Sequence, residues 1–331
     1  MKNKKWLILL SIVLSLVLLV AAAAGCNSAP KTKTAIKIVM APYFGSWLCT
    51  YAVTNGLVTS DKVAVTIDQS AKFDDQMLAG NYPIGAMNTA AFAIATEKSN
   101  IAFKTVGVYL AHSGTEATAG VAIVYTRAGS RLGSPADLAG KKVGVPGLQS
   151  GTASTFLGLL KSEYGISENQ MTLVDNSPAQ LIEFLRKGDI DVALLLGDPS
   201  VQIYYNADFT VLWNVDQAFK QKYGTYNPAS FLAVQADYLK NNRDMVKAVY
   251  ELLKKGRDYG EAHLVELSQK YVAEFGGSAE FYQNAYKNHY SVTFAPVEGK
   301  LETSVMAIFN FVKDRGIISQ LPSTASIFEK W

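Results

Sequence analysis

The sequence predicts an α/β fold in two lobes, each a mainly parallel sheet flanked by helices, and three observations carry that expectation. From Ala35 onward short apolar runs alternate with helical stretches, the order expected of parallel strands joined by crossovers and covered on both faces. After Thr126 the alternation starts afresh, so a second set of strands and helices follows the first. The chain has 331 residues, and a leader of 25 leaves 306, more than one hydrophobic core usually holds.

The leader is legible first. Met1 to Lys5 carries three lysines and no acid, Trp6 to Val20 is mostly apolar, and Ala21 to Gly25 is small. Such an apolar stretch is short for a bilayer span and suits a secretory signal. Small residues leading into Cys26 resemble the lipobox of bacterial lipoproteins, with Ala23 where Leu is usual. That resemblance implies a diacylated Cys26 as the mature N-terminus, held on a membrane by its lipid. Plain cleavage at an Ala-x-Ala site, with Cys26 incidental, is the other reading. Residues 26–34 are polar, contain Pro30 and read as a tether, able to extend roughly 25 Å at about 3.3 Å per residue.

Charge then excludes a class of partner. The chain has 31 Lys+Arg and 28 Asp+Glu, and removing Lys2, Lys4 and Lys5 leaves 28 of each. A mature chain without net charge gives no footprint for nucleic acid. No later apolar run approaches ~20 residues, so no second anchor is expected. Cys49, the only other cysteine, has no partner once Cys26 is acylated and reads as a small buried apolar residue.

Ile36–Met40 is a strand, Pro42–Ser46 a turn, and the stretch to Gly56 a helix. Lys62–Ile67 alternates with period two, Phe73–Leu78 is helical, Ile84–Met87 a buried strand and Thr89–Glu97 a helix. Ile101–Tyr109 and Val121–Tyr125 are strands. In the second set Ser134, Pro135 and Asp137 form a helix-start signature. Lys141–Pro146, Met171–Val174 and Ile190–Leu196 are strands, with helices at Ala153–Tyr164 and Ala179–Arg186, and Asp208–Trp213 adds another strand. Past Val234 the pattern becomes helical: Met245, Val246, Val249, Leu252 and Leu253 share one face, as do Leu264, Leu267, Tyr271 and Phe275, and Leu301, Val305, Ile308, Phe309 and Val312. These stripes face the core.

Four segments carry a likeness to a family. Asp75–Gly80 with Ile84-Gly85 is similar to a recurrent Leu-x-x-Gly turn before a strand, with Pro83 in place of its usual Asp. Ser134–Val145 is close to a Ser-x-x-Asp-Leu-Lys-Gly-Lys-Lys motif. Leu181–Ala193, with Gly188-Asp-Ile-Asp191, resembles Leu-x-x-Gly-x-Ile-Asp-Ala, and Asp198-Pro199 stands where Glu-Pro is common. Over about residues 35–260 the chain resembles the substrate-binding proteins of ABC importers, in the group that binds nitrate, sulfonates, taurine and thiamine pyrimidine precursors. The resemblance implies a type II periplasmic-binding-protein fold with extra C-terminal helices on lobe one. Lobe one would be 35–124 plus 229–331 and lobe two 125–228, closing on a ligand by a hinge near Tyr125 and Ser230. It also implies a monomer that serves an ABC permease and its ATPase, with no cofactor.

Ligands of open α/β sheets sit at the carboxyl ends of parallel strands, where helix N-termini present free amides. That places Tyr43, Phe44 and Trp47 at one strand end, where at least one ring stacks on a ligand or packs under the helix. Asn88 and Thr89 follow a second strand, with helix capping by Asn88 as the simpler role. Gln149, Ser150, Gly151 and Thr152 follow a third; no Lys follows Gly151, so this is not a phosphate-cradling P-loop. Asp198 ends a fourth strand, as a cleft acid or an exposed cap. Tyr226 and Asn227, near the second crossing, complete the candidates. The absence of Arg and Lys from the four segments disfavours a tightly paired oxyanion, while aromatics with one acid suit a small planar heterocycle such as a thiamine pyrimidine precursor. A sulfonate or other small organic anion is the alternative ligand. A sensor lipoprotein, or an enzyme on the same fold, is the alternative role; against the enzyme, the chain lacks a cysteine-rich iron motif and a Gly-x-Ser-x-Gly elbow, and His112, His263 and His289 are widely spaced.

Overall fold

Two mixed sheets, one per lobe, organise the chain. The computed structural model describes residues 33–112 and 121–331, so the leader, Cys26 and most of the 26–34 tether lie outside the described residues. The first sheet takes β1 (Thr34–Met40), β2 (Val63–Gln69), β3 (Ile84–Asn88), β4 (Phe103–His112), β10 (Asn227–Gln235) and β11 (Ser291–Ala295), in the order β11-β4-β10-β3-β1-β2. The second takes β5 (Ile123–Arg127), β6 (Lys142–Val145), β7 (Thr172–Asp175), β8 (Val192–Leu195) and β9 (Phe209–Asn214), in the order β7-β6-β8-β5-β9. The chain changes sheet between His112 and Ile123, and returns between Asn214 and Asn227.

The expectation of mainly parallel sheets holds at one end of each. β1 pairs in parallel with β2 and β3, and β6 with β7 and β8. The strands next to the crossings run the other way. β10 inserts antiparallel between β3 and β4, and β5 antiparallel between β8 and β9. A strand that arrives from the other lobe owes no crossover helix to its neighbours, so alternation in sequence does not reveal its direction. β11 also escaped the sequence reading, which had only helices after Val234.

The helices of the first lobe are α1 (Phe44–Thr54), α2 (Phe73–Leu78) and α3 (Thr89–Lys98); those of the second are α4 (Gly151–Tyr164), α5 (Pro178–Lys187), α6 (Gly197–Tyr204) and α7 (Val215–Tyr223). Then follow α8 (Ala236–Ala262), α9 (Leu264–Phe275), α10 (Ala279–Asn288), α11 (Lys300–Asp314) and α12 (Thr324–Ile327). Local chemistry sets several ends. Ser150 caps α4 by accepting from the Ala153 amide, and Ser177 caps α5 with Pro178 at its first position. Ser134 and Asp137 form a reciprocal capping box on a short 3-10 turn. α8 bends at Asn242, whose φ and ψ of −135° and 32° leave the helix.

α1 is buried on nearly every side, Cys49 included. α8 reaches it through glycines: a Cβ on Gly256 would stand 2.2 Å from the Cys49 carbonyl oxygen, and one on Gly260 2.5 Å from that of Leu48. The Cys49 thiol donates to the Leu253 carbonyl, and burial pushes its pKa well up. The other stripes face the core as expected, except that Phe275 is exposed at the end of α9. It has run past the packed turns, with its ring against those of Trp47 and Tyr271.

Behind the cleft the lobes share a core through α11. A Cβ on Gly158 of α4 would lie 2.2 Å from the Phe311 ring. Arg315 donates to the Leu148 carbonyl at 2.6 Å and to the Ser154 hydroxyl at 3.1 Å, while Glu168 takes its other nitrogens at 2.9 and 3.1 Å.

Candidate functional site

Four strand-to-helix switches converge on a cavity of about 540 Å³ between the two sheets. They lie at the starts of α1 and α3 in the first lobe and of α4 and α6 in the second, so free helix-end amides approach from both sides. Gly151 of α4 comes close to Ala90 of α3: a Cβ on the glycine would meet the Ala90 nitrogen at 3.3 Å.

Tyr43, Asn88, Thr89, Gln149, Ser150, Gly151, Thr152 and Asp198 line this cavity. Their side chains are not equally available. Asn88 is not a cap; its amide donates to Asp74 at 2.7 Å and its oxygen accepts from Ser230 at 2.8 Å. Thr89 donates to the Pro228 carbonyl at 2.7 Å, and Ser150 is the α4 cap. Tyr43 keeps 52 % of its surface accessible. Its phenol is nonetheless pushed up, by desolvation first and then by the charges of Asp74 and Asp198.

Phe44, Trp47 and Tyr226 do not reach the cavity wall. Phe44 lies edge-on to Tyr271 at 5.1 Å and tilted on Tyr282 at 5.0 Å, and Trp47 meets Tyr51 at 4.8 Å and Tyr271 at 5.2 Å. These rings fill the space between α1 and α9–α10, where apolar area is best spent. Gly45 and Ser46 hold the cavity face of α1 instead. Tyr226 is half-buried near Thr293 of β11, and its neighbour Asn227 lines the cavity.

Several lining residues had no signal in the sequence. Asp74, in the first turn of α2, looked like an ordinary helix-start acid; Asn88 brings it to the cavity by donating to both its oxygens, at 2.8 and 2.7 Å. Burial pushes the carboxyls of Asp74 and Asp198 up to about 6, against the bonds from Asn88 in the first case and the nearby Tyr290 phenol in the second. Tyr290 stands close to Asp198 without the geometry of a formed hydrogen bond, and Ser46 stands likewise beside Tyr109. All three hydroxyls are buried, line the cavity and have no hydrogen-bond partner among the described residues.

One buried carboxylate ties both crossings together at the cavity edge. Asp216 accepts from the Val121 and Ala122 amides at 2.8 and 2.9 Å and from the Asn227 side chain at 2.8 Å, with His112 Nδ1 at 3.0 Å. Burial opposes its charge, but His112 and the three donors outweigh that, and its pKa falls below the usual range. His112, isolated in sequence, therefore has a carboxylate partner 104 positions away. Among the described residues no group of three His, Cys, Asp or Glu is placed to hold a metal, and no helix is long and apolar enough to cross a membrane.

A second depression, of about 660 Å³, runs along α11 beside Tyr223. It is open to solvent, and of the helix starts only that of α11, at Gly299, is among its described lining residues.

Comparison with solved structures places this architecture. The periplasmic aliphatic sulphonate binding protein SsuA from Escherichia coli superposes with a TM-score of 0.72 at 11% identity, covering 90% of this chain and 93% of that one. The alkanesulfonate-binding protein SsuA from Xanthomonas axonopodis pv. citri, bound to MOPS, gives 0.67 at 14% identity, covering 90% and 99%. The ligand-binding component of an ABC-type import system from Staphylococcus aureus, with zinc bound, gives 0.66 at 13% identity, covering 90% and 97%. At such identities the likeness is one of fold: two lobes of the periplasmic-binding-protein type. No curated protein sequence matches the chain significantly. The sequence profile of the NMT1/THI5-like family matches residues 78–264, more than half the chain, and with the fold in agreement the protein belongs to the NMT1/THI5-like family.

Proposed function

We propose that this protein is an extracytoplasmic solute-binding lipoprotein, anchored by lipid at Cys26, that captures a small planar heterocycle and hands it to an ABC permease and its ATPase. The observation that carries the reading is the cavity: enclosed by both lobes, lined by tyrosines and two acids, and without lysine or arginine among its described lining residues. Its volume suits a small organic molecule. Tyr43, Gln149, Thr152 and Asp198 are the side chains offered to the ligand, with Asn88, Thr89 and Ser150 positioning the walls. Lobe two runs from the start of β5 to the residue before β10, 123–226 where the sequence led to 125–228; lobe one takes 35–112 and 227–331, and the protein works as a monomer that binds without turning over its ligand.

A thiamine pyrimidine precursor is the best example of such a heterocycle. The helix N-termini of α3 and α4 favour a second reading, a small organic anion of the kind named for the SsuA neighbours. Titration calorimetry with aminopyrimidines and alkanesulfonates separates the two. Stoichiometric binding of a heterocycle supports the proposal; tight binding of an alkanesulfonate with no heterocycle response overturns it.

A further inference from the structure

Asp74 and Asp198 face the cavity from opposite lobes, and no lysine or arginine stands opposite either among its described lining residues. Each lies in the first turn of a helix, α2 or α6, whose positive end offsets part of its charge. The rest is unpaired. Asn88 uses one position on each oxygen of Asp74, and a carboxylate has about four, so both oxygens still accept. Among the described residues no hydrogen bond of normal geometry reaches Asp198. Burial raises both acids, yet to about 6, so they are mostly ionised at neutral pH. Tyr43 lines the same cavity, and both charges help to push its phenol up.

A second, independent observation points to the same space. Ser46, Tyr109 and Tyr290 are only 2%, 0% and 7% exposed, their hydroxyls have no hydrogen-bond partner among the described residues, and all three line the same cavity. Buried polar groups are ordinarily satisfied, so three orphans around one space mark it as built for hydrogen-bonding atoms.

We propose that the ligand carries a positively charged nitrogen group, an amidinium or protonated amine, gripped between Asp74 of one lobe and Asp198 of the other with the Ser46, Tyr109 and Tyr290 hydroxyls around it. Such a group only donates, and carboxylates only accept. In the empty protein the two like charges oppose closure of the lobes; the cation removes that opposition and draws the lobes together. A sulfonate in the same place sets a third negative charge beside two and is rejected. The assignment rests on the reading of this cavity as a solute site and adds the sign of the solute's charge.

The test is a series of one ring with three charges: benzamidinium, benzamide and benzenesulfonate, titrated calorimetrically at pH 7.5 into the wild type and Asp198→Asn. Benzamidinium is expected to bind at least about tenfold tighter than benzenesulfonate, and Asp198→Asn to remove most of that preference. Benzamidinium affinity in the wild type should also fall as salt rises, a readout that needs no variant. Benzenesulfonate binding as tightly as benzamidinium, or an unchanged preference in a folded Asp198→Asn, overturns the charge assignment and leaves the solute-binding reading standing. A wild type that responds to none of the three, nor to the aminopyrimidines and alkanesulfonates above, overturns both.

Discussion

The start of α1 and the start of α4 are the same kind of place, a strand end opening into a helix N-terminus, and the sequence marked both as ligand-binding. They turned out differently. At α4 all four marked residues, Gln149 to Thr152, line the cavity. At α1 only Tyr43 does, while Phe44 and Trp47 turn away into an aromatic cluster with Tyr271 and Tyr282. The difference lies in what surrounds each helix. α4 is itself largely buried, but it opens with small residues, Gly151 and Thr152, that are only half-buried; α1 is enclosed by the sheet, α8, α9 and α10, so its large rings had apolar space to fill on several sides. A large aromatic at a strand end thus reports on packing as readily as on a ligand, whereas small polar residues there cap the helix, as Ser150 does, and line the space in front of it.

Substitutions can break this contrast. The largest effect is expected from Gly256→Ala, whose new methyl would stand 2.2 Å from the Cys49 carbonyl oxygen. Prising α8 from α1 should cost about 3 kcal/mol or more in urea unfolding; a loss under ~1 kcal/mol would show that α1 is not held as tightly as described. Next, Trp47→Ala should lose about 3 kcal/mol of stability while the folded protein keeps its affinity for benzamidinium. Tyr43→Ala should do the reverse, changing stability by under ~1 kcal/mol and weakening benzamidinium about tenfold. If both variants lose affinity alike, Trp47 belongs to the site after all. At the α4 rim, Gly151→Val should leave the melting temperature nearly unchanged yet weaken binding several-fold, roughly 1 kcal/mol, because its side chain props α4 away from Ala90.

The smallest effect is one of pH. Asp198 has a folded pKa raised to about 6 from an ordinary value of 3.8, so the folded protein binds protons more readily than the unfolded chain between those values. Its ionisation therefore costs stability above pH 6, and that cost disappears as pH falls towards 4. Asp198→Asn should melt higher than wild type at pH 7 by on the order of 2 °C, with the gap shrinking below pH 6 and closing near pH 4. A gap independent of pH would mean that the carboxylate is not desolvated in the folded protein. Benzamidinium affinity should follow the opposite course and weaken as the acids protonate.

Much of the architecture was readable because it is written locally. The cap at Ser134, and the apolar stripe at Val246, Val249, Leu252 and Leu253, are decided by residues a turn apart; Ser150, read as a ligand residue, proved to be a cap as well. The strand ends at Asn88, Gln149–Thr152 and Asp198 were found by the same short-range logic. What stayed hidden depends on partners far away in the chain. Asp74 becomes a cavity residue only through Asn88, Tyr290 arrives from the end of α10 near β11, and His112 meets Asp216 across 104 positions. The antiparallel insertion of β10 is of this kind too, since no feature of Asn227–Gln235 says which strands will receive it.

That insertion also sets the order in which the molecule can assemble. The second sheet closes on a continuous stretch, with β5 to β9 all between Ile123 and Asn214, so its longest loops are short ones. The first sheet stays split until β10 slides between β3 and β4, at positions 142 apart for Ser230 and Asn88, and its edge strand β11 comes later still. Loop closure of that length is slow relative to local pairing, so the younger part of the chain, reckoned from its N-terminus, matures first. Pulse-labelled hydrogen exchange during refolding should find β6 and β8 protected before β3 and β10; simultaneous protection would mean that the two lobes condense as one unit around α11.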